Sequence, residues 1–402
     1  MSERREVVVL GGGPAGSTTA AFLALAGRDV LLLDKARFPR PKPCSEYTSP
    51  AALDVLTALG ARDAYLAAGP AQLLGTHVYT PSGQVLRIEY ASASADTRAV
   101  AMAREKLDSL LLRHAREVGV EVREGVRGQR VRFDGSRAIG VVAGDGDGHL
   151  SDLHARMLVG ADGLHSVVAR DAGVRRWTPW PRRLGLVAHF EGVHHEVQVC
   201  QMHVATRGYC GLAPISDGLT SVGMALDLRR YTVPKGPRDE VFDAALAMFP
   251  SIRRQLAGAR RVGRVMGVGP IARRVSRTEG DCWALVGDAA GYFDPFTGEG
   301  IYRALRGGQL LAEVAASALR FGGVSGTSPA AYGRARRHAF RHKSLVVLGI
   351  QACVSYPLLL ERAARQLCDR PELRAQLSGV LGDYLDPRQA LHPRFLAGTL
   401  GL

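Results

Sequence analysis

A glycine-rich turn near the start of the chain constrains its fold more than any other feature. The apolar run Val7–Leu10 leads directly into the sequence GGGPAG at residues 11–16, and a segment rich in small residues, 17–26, comes next. This order predicts a buried strand, a tight turn and a helix. A second apolar run, 29–33, ends at Asp34 and completes a β-α-β unit.

The glycine spacing in this turn is typical of a site that holds a dinucleotide. Gly11 permits the tight turn, Gly13 lets the backbone approach a pyrophosphate, and Gly16 lets the helix pack closely on the strand. A glycine-rich turn without any ligand is the alternative that this motif leaves open.

The residues around the turn supply the rest of the predicted contacts. The pyrophosphate is expected at the N-terminus of the helix, where backbone N–H groups are free, and Pro14 and Ala15 are predicted to contact it there. Asp34 is placed to accept a hydrogen bond from a ribose 2′-hydroxyl, and Lys35 follows it.

Two later stretches place a glycine and an aspartate after an apolar strand. The first is GADG at residues 160–163, and the second is GDAA at residues 287–290. A loop, DPFTGEG at residues 294–300, then brings backbone N–H groups to the start of a helix. The alternative for Asp288 is a plain helix cap. The residues predicted here to contact the same ligand are Asp162, Gly287, Asp288, Pro295, Gly298, Gly300 and Ile301.

The three stretches, in this order, resemble the FAD-dependent oxidoreductases of the para-hydroxybenzoate hydroxylase fold. The chain looks most similar to the branch with geranylgeranyl reductases, halogenases and monooxygenases, over roughly residues 5–320. The resemblance implies bound FAD and an α/β fold, in which an FAD-binding Rossmann-like domain carries an inserted antiparallel β-sheet domain for the substrate. It also implies that Arg104 contacts the ribityl or phosphate part of FAD, against the alternative of a solvated first-turn arginine.

We expect three domains. The FAD-binding domain is predicted to comprise residues 1–74, 100–174 and 265–322, the substrate domain residues 75–99 and 175–264, and a helical C-terminal region residues 323–402. In that region the apolar run 344–360 is predicted to be a buried helix. Because several arginines and a lysine precede this run, a helix that rests on a membrane surface is the alternative.

The loop FPRPKPCSEYTSP, residues 38–50, resembles the FPR…KPC stretch of geranylgeranyl reductases. If it lies by the flavin, Cys44, Glu46 and Tyr47 are near the reaction, and Cys44 or Tyr47 could donate a proton. The alternative is that Cys44 only packs. Tyr209 is the first aromatic residue of a strand motif that, in the resembling enzymes, also carries a tryptophan, and this chain has Gly211 at that position.

That glycine favours a wide, aromatic or polyketide-like substrate, argues against halogenation and also weakens the prediction of prenyl reduction. The alternative is a sheet strand that simply tolerates a glycine at this position. The preferred prediction is a monooxygenase that hydroxylates or epoxidises a hydrophobic small molecule through a C4a-hydroperoxyflavin, with molecular oxygen as co-substrate. The alternatives are a geranylgeranyl-reductase-like reduction of a C=C bond and a non-catalytic or membrane-associated flavin-bearing subunit. The substrate could arrive free or on a carrier.

No second strand–GxGxxG–helix unit follows in the sequence. NADPH or NADH is therefore expected only as a transient reductant, unless a partner flavin reductase supplies the electrons. The net charge of +14 is spread along the chain without a nucleic-acid-binding motif, so no nucleic-acid partner is expected.

The cysteines and histidines predict neither a redox motif nor a metal site. The six cysteines form no CxxC pair, and no signal peptide precedes the first strand, so a cytoplasmic protein with free thiols is expected. His194, His195, Cys200 and His203 are loosely spaced on strand segments facing different ways, and we expect no metal there.

Overall fold

The computed structural model describes residues 3–90, 98–194, 198–320 and 327–402, with the side chains of 327–329 left out. The strands are β1 (Glu3–Leu10), β2 (Val30–Asp34), β3 (Tyr47–Thr48), β4 (Ala71–Leu73), β5 (Gly75–Tyr79), β6 (Val85–Glu89), β7 (Ala99–Ala101), β8 (Glu121–Glu124), β9 (Arg127–Asp134), β10 (Arg137–Gly144), β11 (Leu150–Gly160), β12 (Arg175–Arg176), β13 (Arg183–Glu191), β14 (Val199–Ala205), β15 (Gly208–Pro214), β16 (Thr220–Asp227), β17 (Arg260–Val268), β18 (Arg274–Val275), β19 (Glu279–Gly280) and β20 (Trp283–Leu285).

The helices alternate with these strands in the first half of the chain and follow one another at its end. They are α1 (Pro14–Leu25), α2 (Pro50–Leu59), α3 (Arg62–Ala67), α4 (Arg104–Glu117), α5 (Val167–Asp171), α6 (Arg238–Leu246), α7 (Pro250–Gln255), α8 (Gly300–Arg320), α9 (Thr327–Ser355), α10 (Pro357–Asp369), α11 (Pro371–Leu381) and α12 (Pro393–Leu400).

The first sheet is parallel at its centre, in the order β20-β11-β1-β2-β8, with β19 antiparallel at the β20 edge and a β9–β10 ribbon on β11. Strand β1 is buried on both faces. Val7 and Val9 pack toward α1, α4 and α8, whereas Val8 and Leu10 pack toward the ribbon and α5. A strand covered on both faces has to be apolar throughout, which is why Val7–Leu10 is a continuous apolar run.

The three motifs converge because their strands are neighbours. Leu10 at the end of β1 is in register with Gly160 at the end of β11, and Gly160 is in register with Leu285 at the end of β20. Parallel strands present their carboxyl ends at one edge of the sheet, so the turns that follow all meet there. The convergence predicted from the sequence is therefore a consequence of strand order.

The second sheet has the order β17-β13-β16-β15-β14-β5-β6. Its pairs are antiparallel except β14 with β5, which is parallel, so the predicted antiparallel sheet is mixed at one junction. Helices α6 and α7 cover one face, and the C-terminal helices lie near the other. This arrangement agrees with the predicted fold class, while the exact domain boundaries stay a prediction.

The C-terminal region is helical, as predicted, but the expectation of one buried helix over residues 344–360 is wrong. Helix α9 ends at Ser355 and α10 begins at Pro357, because proline has no N–H to continue the first helix. Leu345, Leu348 and Leu358 from this run are exposed. Within the described ranges, no single helix has the length and apolarity to cross a membrane. Residues 330–355 and α10 pass that test only as a pair, and the pair is bent by 114°.

Residues 121–134 form two strands, which a turn separates. Gly125, with φ +78°, turns the chain between β8 and β9. Strand β8 is the edge of the parallel sheet, and β9 belongs to the ribbon.

Candidate functional site

A cavity of about 960 Å³ begins at the turn after β1 and extends between the second sheet and the C-terminal helices. It is lined by all the residues predicted to contact the dinucleotide except Gly16, namely Gly11, Gly13, Pro14, Ala15, Asp34, Lys35, Arg104, Asp162, Gly287, Asp288, Pro295, Gly298, Gly300 and Ile301. Of the predicted catalytic residues, Cys44, Tyr47 and Tyr209 line it and Glu46 does not. Residues from three separate motifs therefore share one cavity.

The glycines of the first turn do different things. A Cβ on Gly16 would lie 1.8 Å from the carbonyl oxygen of Gly11, and one on Gly11 would lie 2.4 Å from that of Ala161. Gly13 is different, because a Cβ there would meet only Arg40, at 3.5 Å, and would otherwise point into the cavity. Gly11 and Gly16 thus allow close packing, while Gly13 leaves space beside the helix start for a ligand.

The first turn of α1 offers unpaired donors to that space. Ser17 donates its N–H to the carbonyl of Gly13, so the N–H groups of Ala15 and Gly16 have no acceptor within the helix. Free N–H groups and the helix dipole both favour an anion at this point. The open side of Gly13 and these donors fit a pyrophosphate.

Asp34 lies at the tip of β2, and both of its carboxylate oxygens accept backbone hydrogen bonds. Oδ2 accepts from the N–H of Gly12 at 2.7 Å and Oδ1 from that of Ala36 at 2.8 Å. These bonds hold the glycine turn against β2. Each carboxylate oxygen has a further lone pair, so the predicted bond to a ribose hydroxyl remains available.

Two basic residues that the sequence analysis did not single out lie beside the same turn. Arg40 lines the cavity and pairs with Asp108 at 3.2 Å, and Lys42 lines it near Asp288. Burial lowers the pKa of Lys42, while the charge of Asp288 works in the opposite direction. Both belong to the proline-rich loop, which has no periodicity, so only their charge could have marked them as candidates for binding a phosphate.

The two motif aspartates are half-buried. Burial raises the pKa of Asp162 above its ordinary value, and its Oδ2 accepts the N–H of Val167 at 2.7 Å. Its Oδ1 has no hydrogen-bond partner among the residues described. Burial also raises the pKa of Asp288, against the charges of Lys42 and Arg104. A buried carboxylate oxygen without a donor is costly, so a donor from a bound ligand would stabilise it.

Arg104 is buried at the start of α4. Its Nε and Nη2 donate to the two oxygens of Asp108, each at 2.8 Å. The alternative of a solvated first-turn arginine is therefore wrong, because Asp108 is completely buried and requires a cationic partner. The Arg104 guanidinium also lines the cavity, so a contact with FAD stays a prediction.

Glu46 is a buried structural acceptor. Its Oε1 accepts the N–H of Arg104 at 2.9 Å, and its Oε2 bonds Nε2 of His189 at 3.0 Å. The expectation that Glu46 lies near the reaction is wrong, because both of its carboxylate oxygens already form hydrogen bonds and the residue does not line the cavity. Burial alone lowers the pKa of His189, but the hydrogen bond and charge of Glu46 outweigh it and raise that pKa.

Cys44 and Tyr47 present neutral acidic groups to the cavity. Burial raises the pKa of the Cys44 thiol. Burial, and then the neighbouring phenol of Tyr90, raise the pKa of Tyr47 well above its usual value. The Tyr47 hydroxyl is buried and lacks a hydrogen-bond partner of good geometry within the described part of the chain. Its ring lies against Gly298, whose Cβ would be 2.6 Å from the ring. Tyr47 is thus fixed beside the loop before α8.

Tyr209 lines the cavity with its ring, but its hydroxyl is already committed. It donates to Oδ1 of Asp294 at 2.6 Å, and the same oxygen accepts from Nε2 of Gln351 at 2.6 Å. Arg183 donates to the other oxygen of Asp294. This buried network joins the second sheet, the loop before α8 and helix α9. Arg183 and Gln351 belong to no motif in the sequence, so their role in this network is visible only in the structure.

Beyond these polar groups the cavity is mostly apolar. Its outer part is lined by side chains of β5, β6, β14 and the C-terminal helices, among them Val78, Leu86, Ile88, Met202, Ile350, Val354, Leu360, Leu367, Leu377 and Leu381. The space expected beside Gly211 is partly filled, because a Cβ there would lie 2.8 Å from Sδ of Met202. The tryptophan-to-glycine change therefore widens the cavity less than the sequence suggested.

The histidines and the cysteine considered for a metal have other neighbours. His203 bonds Gln201 at 3.0 Å and Ser251 at 2.9 Å, and burial lowers its pKa to about 4. Cys200 faces the cavity, and His194 is exposed. His195 lies outside the described residues.

The comparison with known proteins decides which dinucleotide this site serves. A family model described as FAD binding domain matches residues 4–340. The chain belongs to this FAD-binding family. The family predicted from the three motifs is thereby confirmed, and the open side of Gly13, the free N–H groups of α1 and the unpaired oxygen of Asp162 fit FAD.

The chain is similar both to proteins named as reductases and to a halogenase. Digeranylgeranylglycerophospholipid reductase 2 of Methanopyrus kandleri is 32% identical over 321 residues, which are 78% of this chain and 77% of that protein. Menaquinone reductase of Mycobacterium tuberculosis is 29% identical over 332 residues, with 78% and 77% covered. The solved structure of the myxobacterial chondrochloren halogenase is 26% identical with a TM-score of 0.80, and the match covers 86% of this chain and 82% of that one. The chain is therefore an FAD-dependent oxidoreductase.

Proposed function

We propose that this chain reduces a C=C bond in a long, apolar, isoprenoid-like molecule. The observation that carries the proposal is the continuity of the cavity, which runs from the FAD turn into a lobe walled by aliphatic side chains. A pocket of this kind binds mainly by removing apolar surface from water, at roughly 25 cal/mol per Å². An extended aliphatic chain has the shape and the surface for it.

The names of two relatives support this substrate class. One refers to a digeranylgeranyl lipid and the other to menaquinone, and both molecules carry isoprenoid chains. The sequence alone favoured a monooxygenase, mainly because Gly211 suggested room for a wide ring. Met202 takes part of that room, so the support for a wide ring is weaker.

The reaction needs a hydride for one carbon and a proton for the other. Bound, reduced FAD supplies the hydride, and a nicotinamide or a partner reductase is proposed to reduce it again. Within the loop at residues 38–50, two side chains that line the cavity can hold the proton, at Oη of Tyr47 and at Sγ of Cys44. Because burial keeps both groups protonated, each can act as a general acid. Tyr209 is a poorer proton donor because its hydroxyl already donates a hydrogen bond to Asp294.

Replacing Tyr47 by phenylalanine tests this assignment. In the Tyr47→Phe variant we expect anaerobic re-oxidation of the reduced flavin by a geranylgeranyl lipid or menaquinone to slow about 100-fold, with FAD still bound. The product of the natural chain should be heavier by two hydrogen atoms. The Tyr65→Phe variant is the matched control, since Tyr65 is a buried phenol that bonds Thr48 away from the cavity. Unchanged rates in both Tyr47→Phe and Cys44→Ala would refute the proton-donor assignment.

Monooxygenation of a planar substrate is the second candidate, and a specific feature favours it. Gly211 of β15 and Gly223 of β16 are cross-strand partners, and both line the cavity. A Cβ on Gly223 would meet nothing closer than Val187 at 3.6 Å. Gly223 therefore leaves open space beside Ser45, where an aromatic ring would fit.

Oxygen distinguishes the two candidates. Reduced protein is mixed with substrate in the presence and absence of oxygen, and product and oxygen are measured together. Turnover without oxygen supports the reductase, and oxygen consumption in step with product supports the monooxygenase. Absence of turnover under both conditions, with FAD bound, would favour a flavin-bearing subunit without its own reaction.

A further inference from the structure

An exposed apolar surface lies at the end of the C-terminal helices, and we call it the tail surface. It consists of Leu345, Leu348, Tyr356, Leu358, Leu396 and Leu402. Leu358, at the bend between α9 and α10, is 87% exposed. Soluble monomers rarely expose several large apolar side chains together unless the surface binds something.

The parts of this surface are adjacent in space. Val346 of α9 and Phe395 of α12 share one small core, which brings their neighbours Leu345 and Leu396 together. At the chain end, Arg362 of α10 donates to the carbonyl of Gly401, and Arg362 lies one turn after Leu358. The bend and the C-terminus therefore belong to the same side of the helical region.

The exposed face of α9 changes character along its length. Arg334, His338 and Arg341 are exposed in its first half, and Leu345 and Leu348 continue the same face at spacings of three and four residues. Arg334, Arg337 and Arg341 make no ion pair with any carboxylate in the described ranges. The helix contains no aspartate or glutamate. One face thus passes from cationic to apolar toward the bend.

The cavity reaches the surface within this patch. Leu345 is 50% exposed and Leu396 is 44% exposed, and both also line the cavity. Gly349, one turn after Leu345, is exposed and lines it as well. The apolar lobe therefore approaches solvent at the apolar half of the tail surface.

We propose that the tail surface docks the protein on an anionic lipid bilayer. The leucines and Tyr356 at the bend enter the boundary between headgroups and acyl chains, and the arginines of α9 meet the anionic headgroups. The cavity then faces the bilayer directly. Entry of an apolar substrate from the lipid follows only if the proposed function is correct, whereas docking itself does not depend on the reaction.

Charge complementarity distinguishes this partner from a second copy of the chain. The net charge is +14, and the exposed arginines of α9 beside the leucines, Arg334, Arg337 and Arg341, make no ion pair within the described part of the chain. Two such faces would repel each other, since like charges brought together are unfavourable. An anionic membrane satisfies both the apolar and the cationic part of the surface.

Vesicle sedimentation tests the proposal on the FAD-loaded full chain. We expect co-sedimentation with vesicles of phosphatidylglycerol and phosphatidylcholine, and much less with phosphatidylcholine alone. The double variant Leu348→Glu/Leu358→Glu should reduce binding about tenfold or more, because two apolar contacts are replaced by anionic groups. Neither residue lines the cavity.

Matched controls separate docking from general attraction to a basic protein. Leu150→Glu changes a leucine that is 64% exposed on β11 and should bind vesicles normally. Arg337→Glu/Arg341→Glu should weaken binding strongly, and Arg253→Glu/Arg254→Glu, with the same charge change on α7, should not.

Three results would overturn the proposal. They are an absence of vesicle binding, an equal loss in the control and tail variants, and a dimer in light scattering that Leu348→Glu/Leu358→Glu dissociates. Failure of C=C reduction with intact vesicle binding would refute only the proposed function.

Discussion

Gly13→Leu should weaken FAD binding strongly while leaving the fold intact. Gly13 has φ −74° and ψ −178°, an extended conformation that any residue adopts. The nearest atom to its Cβ would be Nη2 of Arg40 at 3.5 Å, which is ordinary contact distance. We therefore expect the free energy of unfolding of the FAD-free protein to change by less than about 1 kcal/mol.

The expected loss of affinity is much larger. A leucine at 13 would fill the space in front of the free N–H groups of Ala15 and Gly16. A hydrogen bond to a charged group contributes about 1.5–3 kcal/mol, so displacing a pyrophosphate from two of them costs about 3–6 kcal/mol. That corresponds to a Kd that is about 10²–10⁴ times higher.

The assay combines thermal melting without FAD and titration with FAD followed by flavin absorbance. Gly16→Ala is the contrasting variant, because its Cβ would lie 1.8 Å from the Gly11 carbonyl. It should lose about 3 kcal/mol or more of stability, since the helix must move off the strand. A folded Gly13→Leu protein that binds FAD as tightly as the natural chain would refute the placement of the phosphates.

Two further predictions concern the buried polar groups around the site. Arg104→Met should lower the free energy of unfolding, measured by urea titration, by about 3 kcal/mol, because the buried Asp108 then keeps only Arg40 as a cationic partner. The control is Arg116→Met, which removes an exposed ion pair with Glu124 and should cost less than about 1 kcal/mol. Glu46 raises the pKa of His189 in the folded protein above its value of about 6.5 in the unfolded chain. The pair therefore stabilises the fold fully below about pH 6.5, and this stabilisation is lost as the pH rises through the higher pKa of the folded protein. The stability difference between the natural chain and His189→Gln should therefore shrink with rising pH, and a difference that grows instead would contradict this sign.

The FAD site could be predicted because its signals are local. Each motif combines a buried strand with a glycine turn, and strands β1, β11 and β20 are neighbours, so the local features add up to one site. The roles of Gly11 and Gly16 follow from steric limits that a sequence displays directly. What the motifs did not reveal is that Asp34 also holds the turn through two backbone N–H groups.

Features that depend on distant residues were not predictable in the same way. Glu46 resembles a catalytic acid in the loop sequence, yet its partners are the N–H of Arg104 and the ring of His189, far along the chain. The parallel pairing of β14 with β5 joins segments more than a hundred residues apart, and alternation of side chains does not encode strand direction. Pro357 was visible as a break in the apolar run, but its consequence, exposed leucines at a bend, depends on how α10 packs.

The network around Asp294 limits how this enzyme could be re-engineered. Asp294 accepts from Gln351 of α9 and Tyr209 of β15, and it stands directly before the loop that leads into α8. The amide of Gln351 bonds both Asp294 and Arg183. Exchanging the C-terminal helices for those of a relative would remove this amide and leave the buried Asp294 and Arg183 without it. New substrate ranges are therefore more accessible through point changes on the aliphatic wall than through swapping the tail as a module.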